Sequence, residues 1–242
     1  MEEKKYTYEE FLEIIRMLRS EEGCPWDREQ THMSLRPCMT EEAAEVNAAI
    51  RILEQTGNYE NLREELGDVL LQVVMHAEIA REEGMFSMED VVSEIARKMV
   101  RRHPHVFGSV KVDGSDRVLE NWEEIKKKEK EGRTDIASPL REIPIELPAL
   151  TRAAKVIKKA DKLYEPMPDF AEAAGQLAEA AEKLAHCTPS GCNEEIAGLA
   201  GDILFALSDI AGICRLPQEQ ILTDRIETLI ERLEKNPLNR PE

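Results

Sequence analysis

Two stretches of this chain match each other at a distance of 134 residues. Residues 67–74 read GDVLLQVV and residues 201–208 read GDILFALS, and the same offset carries Glu45 onto Glu179. Matches that share one register indicate an internal duplication. The second half, from Pro148 onward, is therefore predicted to repeat the fold of the first half.

Composition favours helices in both halves. Aromatic residues make up only 5% of the 242 residues, and Ala, Leu, Glu, Ile and Lys dominate. Most of these are good helix formers, whereas aromatic residues are enriched in strands. A chain of this length suits one large domain or two small ones. The predicted fold class is all-α.

Apolar residues at helical spacing, together with Gly and Pro breakers, predict the elements of the first half. The predicted helices cover 8–19, 39–54, 61–83, 88–102 and 121–131, with a loop at 22–37 and a loop or short hairpin at 108–115. Gly57 and Gly84 are expected to end two of these helices, and Ser87 to cap the next. The buried stripe of the third helix is predicted to contain Val69, Leu70, Val73 and Val74.

The domain boundaries follow from one segment rich in helix breakers. Residues 132–148 contain Gly132, Pro139, Pro144 and Pro148, and this composition predicts a linker. The expected organisation is a first domain over 1–131, the linker over 132–148 and a second domain over 149–242.

The strongest candidate for chemistry is a spaced set of acids in the first half. Residues 41–45 read EEAAE, and residues 65–68 follow with ELGD. Because residues three and four apart share a helix face, each run projects carboxylates from one side of its helix. Two antiparallel helices would bring five carboxylates into one cluster: Glu41, Glu42, Glu45, Glu65 and Asp68.

The mutual repulsion of five carboxylates in such a cluster has to be compensated. Two like charges 4 Å apart repel by about 4 kcal/mol at an effective dielectric near 20. Protonation, water or a multivalent cation would relieve this repulsion. Ligands that are all oxygens favour a hard ion, so Mg²⁺ is expected first and Mn²⁺ second. The alternative is a solvated acidic face, which is common in a chain with 49 Asp and Glu residues, and spacing alone favours neither.

The second copy lacks most of these acids. The offset of 134 carries Glu41 onto Gly175, Glu42 onto Gln176 and Glu65 onto Leu199, so two acids remain where the first copy has five. The second copy is therefore predicted to have a structural role, such as packing or dimerisation.

Basic residues also cluster in the first half. Lys98 and Arg102 lie four apart on one helix face beside Arg101, and Lys126 to Lys128 follow Trp122. Arginine matches phosphate oxygens with a planar fork, and lysine supplies a point charge. Basic residues also favour helix C-termini for electrostatic reasons alone. Together with the acids, however, they form the two parts of a metal and polyphosphate site.

The overall charge limits the partners and the compartment. A net charge of −17 repels nucleic acid and anionic membranes. No stretch is expected to reach the length of a membrane span, and residues 1–5 lead into no apolar signal segment. The five cysteines form no paired metal-binding motif, which fits a reducing cytoplasm.

In their order along the chain, several short motifs resemble the MazG nucleoside triphosphate pyrophosphohydrolases. The motifs are GCPWD at 23–27, QTH at 30–32, SL at 34–35, EEAAE at 41–45, EELGD at 64–68, RRHPHVFG at 101–108 and WEEIK at 122–126. The resemblance implies an all-α fold of tandem repeats around four-helix cores, usually as a homodimer. It also implies hydrolysis of nucleoside triphosphates to the monophosphate and pyrophosphate with Mg²⁺.

The same resemblance implies roles for individual residues. The metal ligands would be Glu42, Glu45, Glu65 and Asp68, with Glu41 as a supporting group or as the base for the attacking water. The substrate-binding residues would be Lys98, Arg101, Arg102, Trp122 and Lys126. Two-repeat members of the family often carry a second acidic set, and this chain departs from that pattern.

Two rival hypotheses remain. A carboxylate di-iron bundle would need Glu-x-x-His pairs on two core helices, and the example nearest to the acids is Glu29 to His32, in a predicted loop. A non-catalytic helical binding protein would instead use its surfaces to hold a partner. Release of pyrophosphate in the presence of Mg²⁺ would separate both from the enzyme.

Overall fold

The computed structural model describes residues 4–110, 114–130, 138–188 and 193–235. It divides into two compact units, Met1–Glu131 and Gly132–Glu242, which are described separately below. Within the described ranges every regular element is helical and no β-strand occurs. The predicted all-α class is confirmed.

The first unit is built around one long helical hairpin. Its helices are α1 (Tyr8–Arg19), α2 (Pro25–Glu29), α3 (His32–Thr56), α4 (Glu60–Glu82), α5 (Met88–Arg102), α6 (Pro104–Phe107) and α7 (Gly114–Lys130). Helices α3 and α4 pack along each other as the hairpin, and α1 and α5 both pack against α4. The apolar core of this unit is formed by Ile15, Leu35, Val74, Met75 and Ile79.

Local signals in the sequence set most of the helix ends in this unit. Thr7, Thr31 and Ser87 each form a capping box with the residue three positions later. Gly57 and Gly84 adopt φ values of 74° and 71°, where a side chain would be strained, and they follow α3 and α4. The expected ends at Gly57 and Gly84 and the cap at Ser87 are confirmed.

The predicted loop over 22–37 is wrong. Pro25 begins α2, where its missing N–H is harmless because the first helical N–H groups have no partner. Pro37 lies inside α3, which starts at His32 after the cap of Thr31. A proline in the second turn removes one helical hydrogen bond. The other hydrogen bonds of the 25-residue helix outweigh that loss.

Two further expectations for this unit need correction. Helix α7 begins at Gly114, so the last two residues of the predicted loop or hairpin over 108–115 are helical, while residues 111–113 lie outside the described ranges. In α4, Val74 is buried but Leu70 is 38% exposed. The buried residues of α4 lie in its C-terminal half, from Gln72 onward, because that half packs against the apolar core.

The second unit has a similar hairpin. After a 3₁₀ turn (Pro139–Glu142), its helices are α8 (Ala149–Leu163), α9 (Phe170–His186), α10 (Asn193–Ile213) and α11 (Gln218–Lys235). Helices α9 and α10 form the hairpin, α8 packs against α10, and α11 contacts α8. Part of the predicted linker, residues 132–137, lies outside the described ranges.

Corresponding residues are buried in the two hairpins. Buried positions in α4 include residues 72, 74, 75 and 77, and the positions 134 residues later, 206, 208, 209 and 211, are buried in α10. The residues at three of these four pairs differ. The duplicated register therefore describes burial as well as sequence.

Helix α10 is long and apolar enough to span a membrane by length and composition, over Glu194–Ile213. The expectation that no stretch reaches this length is therefore wrong. A core helix of a soluble protein passes the same test when it is mostly buried; 22% of this span is buried, and α10 packs against both α8 and α9.

Candidate functional site

The line of contact between α3 and α4, called the seam below, changes from apolar to acidic residues along its length. Glu42, Glu45 and their neighbours repeat at alternating spacings of three and four, which is the pattern of a helix–helix contact. The seam residues of α3 are Leu35, Cys38, Glu42, Glu45 and Ala49, and those of α4 are Glu65, Asp68, Gln72, Met75 and Ile79. The seam is therefore apolar at the open end of the hairpin and acidic near the turn at Gly57.

Three of the five predicted acids come together at the acidic end. Carboxylate oxygens of Glu42, Glu45 and Glu65 all lie within 4.8 Å of one another. Glu42 and Glu65 are half-buried, and Glu45 is exposed. Two carboxylates of α3 therefore face one carboxylate of α4 across the seam.

Burial and mutual repulsion act on these carboxyl groups. Burial, followed by the charges of Asp68 and Glu45, raises the pKa of Glu42. Burial, followed by the charges of Glu45 and Asp68, raises the pKa of Glu65. Asp68 thus lies close enough to act on both groups, although it is outside the set of three. Glu41 is exposed and also lies outside that set.

The donor set fits a hard divalent cation. All three close donors are carboxylate oxygens, and in the described part of the structure no salt bridge neutralises them. Like charges held together without a counterion favour binding of a multivalent cation. The residues present therefore fit Mg²⁺ or Mn²⁺.

The predicted phosphate-binding arginines have a partner that the sequence did not indicate. Arg101 and Arg102 both pair with Glu129 of α7, at 2.7 and 2.5 Å. Bonds from Arg102 and then Arg101 lower the pKa of Glu129 to about 2. The guanidinium of Arg102 also lies 5.9 Å from the ring centre of Trp122.

The structure says less about the two lysines that were predicted to bind substrate. Lys98 is half-buried on α5, one turn before Arg102. The side chain of Lys126 lies outside the described part of α7. Helix α5 contacts α4, and its 15 residues span about 22 Å at 1.5 Å per residue, with the basic residues at its C-terminal end.

Sequence analysis also missed a pair of histidines further along the seam. The Nδ1 atoms of His32 and His76 lie 2.8 Å apart, and the two rings are stacked. Burial, and then the neighbouring His32, lower the pKa of His76. The signal available was His76 lying two turns after Asp68 on the same face, but nothing in the sequence identified its partner.

A buried arginine fixes the segment that precedes α3. Arg19 forms two hydrogen bonds with the carboxylate of Glu82 and donates to the backbone carbonyls of Asp27 and Gln30. It is 7% exposed, so these bonds satisfy a charge inside the unit. Trp26, by contrast, is 64% exposed and is not a packing anchor within the described chain.

These features together define a class of protein. An all-α unit whose central hairpin holds clustered carboxylates, followed by a helix with a basic end, is suited to a divalent cation and a polyphosphate. Residues 30–107 match the MazG nucleotide pyrophosphohydrolase domain family.

Relatives extend this match over most of the chain. The nucleoside triphosphate pyrophosphohydrolase/pyrophosphatase MazG of Thermotoga maritima is 37% identical over 97% of this chain and 87% of its own length. The nucleoside triphosphate pyrophosphohydrolase of Escherichia coli K12 is 38% identical over 83% of this chain and 75% of its own. The chain belongs to the MazG family of nucleoside triphosphate pyrophosphohydrolases, which act on acid anhydrides.

A third relative differs in size. The uncharacterized protein YabN of Bacillus subtilis is 43% identical over 92% of this chain, and the match covers 45% of YabN. The chain thus spans less than half of that relative.

Proposed function

We propose that this chain hydrolyses nucleoside triphosphates to the monophosphate and pyrophosphate, using Mg²⁺ or, as a substitute, Mn²⁺. The observation that carries the proposal is the group formed by Glu42, Glu45 and Glu65, whose oxygens lie within 4.8 Å of one another and form no salt bridge within the described residues. Membership of the MazG family gives the reaction class. The relatives from Thermotoga maritima and Escherichia coli are named for the same activity.

Four residues would hold the cation: Glu42, Glu45, Glu65 and Asp68. Glu42 and Glu65 are half-buried at seam positions, so their carboxylates have little freedom to turn away from each other. A bound divalent cation would neutralise phosphate oxygens and make water more acidic. Glu41 is exposed at the edge of this group, where it is suited to accept a proton from the attacking water.

The basic end of α5 would bind the phosphates. Arg102 and Arg101 already bind a carboxylate, Glu129, through bonds of the kind that phosphate oxygens accept. A triphosphate would compete with Glu129 for these two guanidinium groups, and Lys98 would add a third positive charge. Trp122, beside Arg102, and Lys126 are proposed to contact the nucleoside end.

We also propose that the chain forms a homodimer. Exposed apolar residues run along α5 at 92, 95 and 99, and along α11 at 226, 229 and 233, with each residue between 36% and 51% exposed. The two stripes correspond at an offset of 134, so the duplicated helices both leave an apolar face open. A second copy of the chain would cover such faces.

Analytical ultracentrifugation tests the dimer. A charge at Leu229, introduced as Leu229→Glu, should shift the protein toward monomer, whereas Thr228→Glu on the neighbouring face of α11 should not. A wild-type protein that sediments as a monomer at micromolar concentration would contradict this proposal.

The remaining expectations concern environment and the second repeat. Cys24, Cys38, Cys187 and Cys214 are free thiols, which supports a cytoplasmic location. With a net charge of −17, we propose no binding to nucleic acid or to a membrane. The domain over 149–242 is proposed to have a structural role, such as packing or dimerisation.

The function is tested by measuring pyrophosphate release from a panel of canonical, deoxy and oxidised nucleoside triphosphates, with Mg²⁺, with Mn²⁺ and with EDTA. We expect release of pyrophosphate and the monophosphate in equal amounts, and none with EDTA. Release of single phosphate, or no turnover of any triphosphate, would contradict the proposal. The latter result would favour the alternative of a non-catalytic helical binding protein.

A further inference from the structure

Gln72 lies where the apolar and acidic ends of the α3–α4 seam meet. Its side chain is 6% exposed, and its Oε1 atom has no hydrogen-bond partner in the described part of the structure. Buried polar atoms are nearly always hydrogen-bonded, so each exception needs an explanation. An acceptor left without a donor destabilises the folded state.

The neighbours of Gln72 show which way it faces. One turn before it, Asp68 acts on the carboxyl group of Glu42 of α3. One turn after it, His76 contacts His32 of α3. Residues 68, 72 and 76 share one face of α4 because they are spaced by four. Gln72 therefore faces α3, between the acid group and the histidine pair.

The chain itself offers few donors at this point. The seam residue of α3 opposite Gln72 is Cys38, whose thiol is a weak donor. The three acids beyond it are acceptors when ionised. Within the described residues no donor is bonded to Oε1, so a donor from outside the chain, on the side of the acid group, would satisfy it.

We propose that Gln72 is a positioning residue of the cation site, whose Oε1 accepts a hydrogen bond from a water molecule of the hydrated divalent cation. This inference rests on the proposed function. Mg²⁺ usually keeps several of its waters, and those waters need acceptors. Gln72 lies one turn of helix from Asp68, about 6 Å along the helix axis. That spacing suits contact through one water.

The test is Mn²⁺ binding by the full chain, measured by isothermal titration without nucleotide. Gln72→Met keeps the length of the side chain and removes its acceptor, and we expect it to weaken Mn²⁺ binding about tenfold. Gln72→Glu keeps an oxygen at the same place and should bind at least as tightly as the wild type. Gln55→Met, an exposed glutamine of α3, is the matched control and should change nothing.

A second readout separates this role from simple packing. Without metal, Gln72→Met should unfold at the same temperature as the wild type or higher, because an unpartnered buried acceptor has been removed. With saturating Mn²⁺ it should gain less stability than the wild type does. Binding of Mn²⁺ by Gln72→Met within twofold of the wild type would overturn the proposal, as would a loss in Gln72→Glu equal to that in Gln72→Met.

The Mn²⁺-binding test of Gln72 does not depend on whether the protein hydrolyses nucleoside triphosphates. A wild-type protein that binds Mn²⁺ through Glu42 but releases no pyrophosphate would refute the proposed function and leave the role of Gln72 open to the same measurement. Loss of Mn²⁺ binding in Glu42→Gln, together with unchanged binding in Gln72→Met, would refute the role of Gln72 alone.

Discussion

The α3–α4 and α9–α10 hairpins correspond at an offset of 134 residues, but their acidic residues have different surroundings. In the first, Glu42, Glu45 and Glu65 lie together, and no basic side chain of the described ranges forms a salt bridge with them. In the second, the two acids that remain are Glu179 and Asp202.

The acids of the second hairpin differ from those of the first because a lysine lies beside them. Lys183 stands at the position of the buried Ala49 and forms a 2.7 Å salt bridge with Glu179. The bond with Glu179, and to a smaller extent the charge of Asp202, raise the pKa of Lys183. The second hairpin thus carries its own cation, whereas the first has the charge pattern of a site that takes one from solution.

The largest expected effect is on turnover. Glu42→Gln keeps the size of the side chain but removes one charge from the proposed cation site, and we expect pyrophosphate release to fall by roughly 1,000-fold. Gln176→Glu, the reverse change at the matching position of α9, should leave the rate unchanged. Circular dichroism should show the same helical content in both. Full activity in Glu42→Gln would end the assignment of the site to α3 and α4.

The next effect concerns substrate affinity. Arg102→Gln removes a charge-assisted phosphate contact and should raise KM about tenfold. Glu129→Gln frees both arginines from their partner and should lower KM by about two- to threefold. Arg225→Gln on α11 is the control in the second unit. An unchanged KM in the Arg102 variant would remove α5 from the substrate site.

A buried acid in the second hairpin should affect stability. Asp209 is 2% exposed with one oxygen unpartnered, and burial raises its pKa above 3.8. Its charged form therefore destabilises the fold at neutral pH. Asp209→Asn should raise Tm by about 3 °C at pH 7.5, and the gain should shrink as pH falls toward 4. A lower Tm at pH 7.5 would show that the carboxylate has a partner.

Neutralising one acid in each hairpin should move Tm in opposite directions. Burial and then Glu45 raise the pKa of Glu65, so Glu65→Gln should raise Tm slightly in EDTA. Lys183 lowers the pKa of Glu179, so Glu179→Gln should lower Tm slightly. Shifts of the same sign, measured by differential scanning calorimetry, would contradict the contrast between the two hairpins.

The smallest effect is a dependence on pH. Because the pKa of His76 is lowered below 6.5, its contribution to stability is present above pH 6.5 and is lost as pH falls through that value. His76→Ile copies Ile210 of the second hairpin and should reduce the drop in Tm between pH 7.5 and 5.5 by about 1–2 °C. An unchanged drop would assign the acid sensitivity to other groups.

Much of the helical architecture was predictable because its signals are local. The cap at Ser87 and the turns at Gly57 and Gly84 depend on a few adjacent residues. The spacing of the acids was also visible, since it needs only the period of a helix. Pro37 was misjudged because its effect depends on where in a helix it falls, and that depends on a cap six residues earlier.

Contacts between distant residues were not predictable. Glu129 pairs with Arg101 and Arg102, which lie 28 and 27 positions earlier in the sequence. Other charged residues of α7 have similar sequence separations from the two arginines, so the sequence did not single out Glu129. The pairing of His32 with His76 depends on the register of α3 against α4, which no single helix specifies. Roles in binding and catalysis stay predictions, since they depend on groups that the chain itself does not supply.

The four bonds of Arg19 have a consequence for the exposed Trp26. They tie the C-terminal part of the short helix that carries this indole, at the carbonyls of Asp27 and Gln30, to the carboxylate of Glu82 on α4. The backbone beneath the ring is therefore already ordered before another surface covers the indole. A flat aromatic ring mounted in this way favours contact with a ligand or a second protein over collapse onto its own chain.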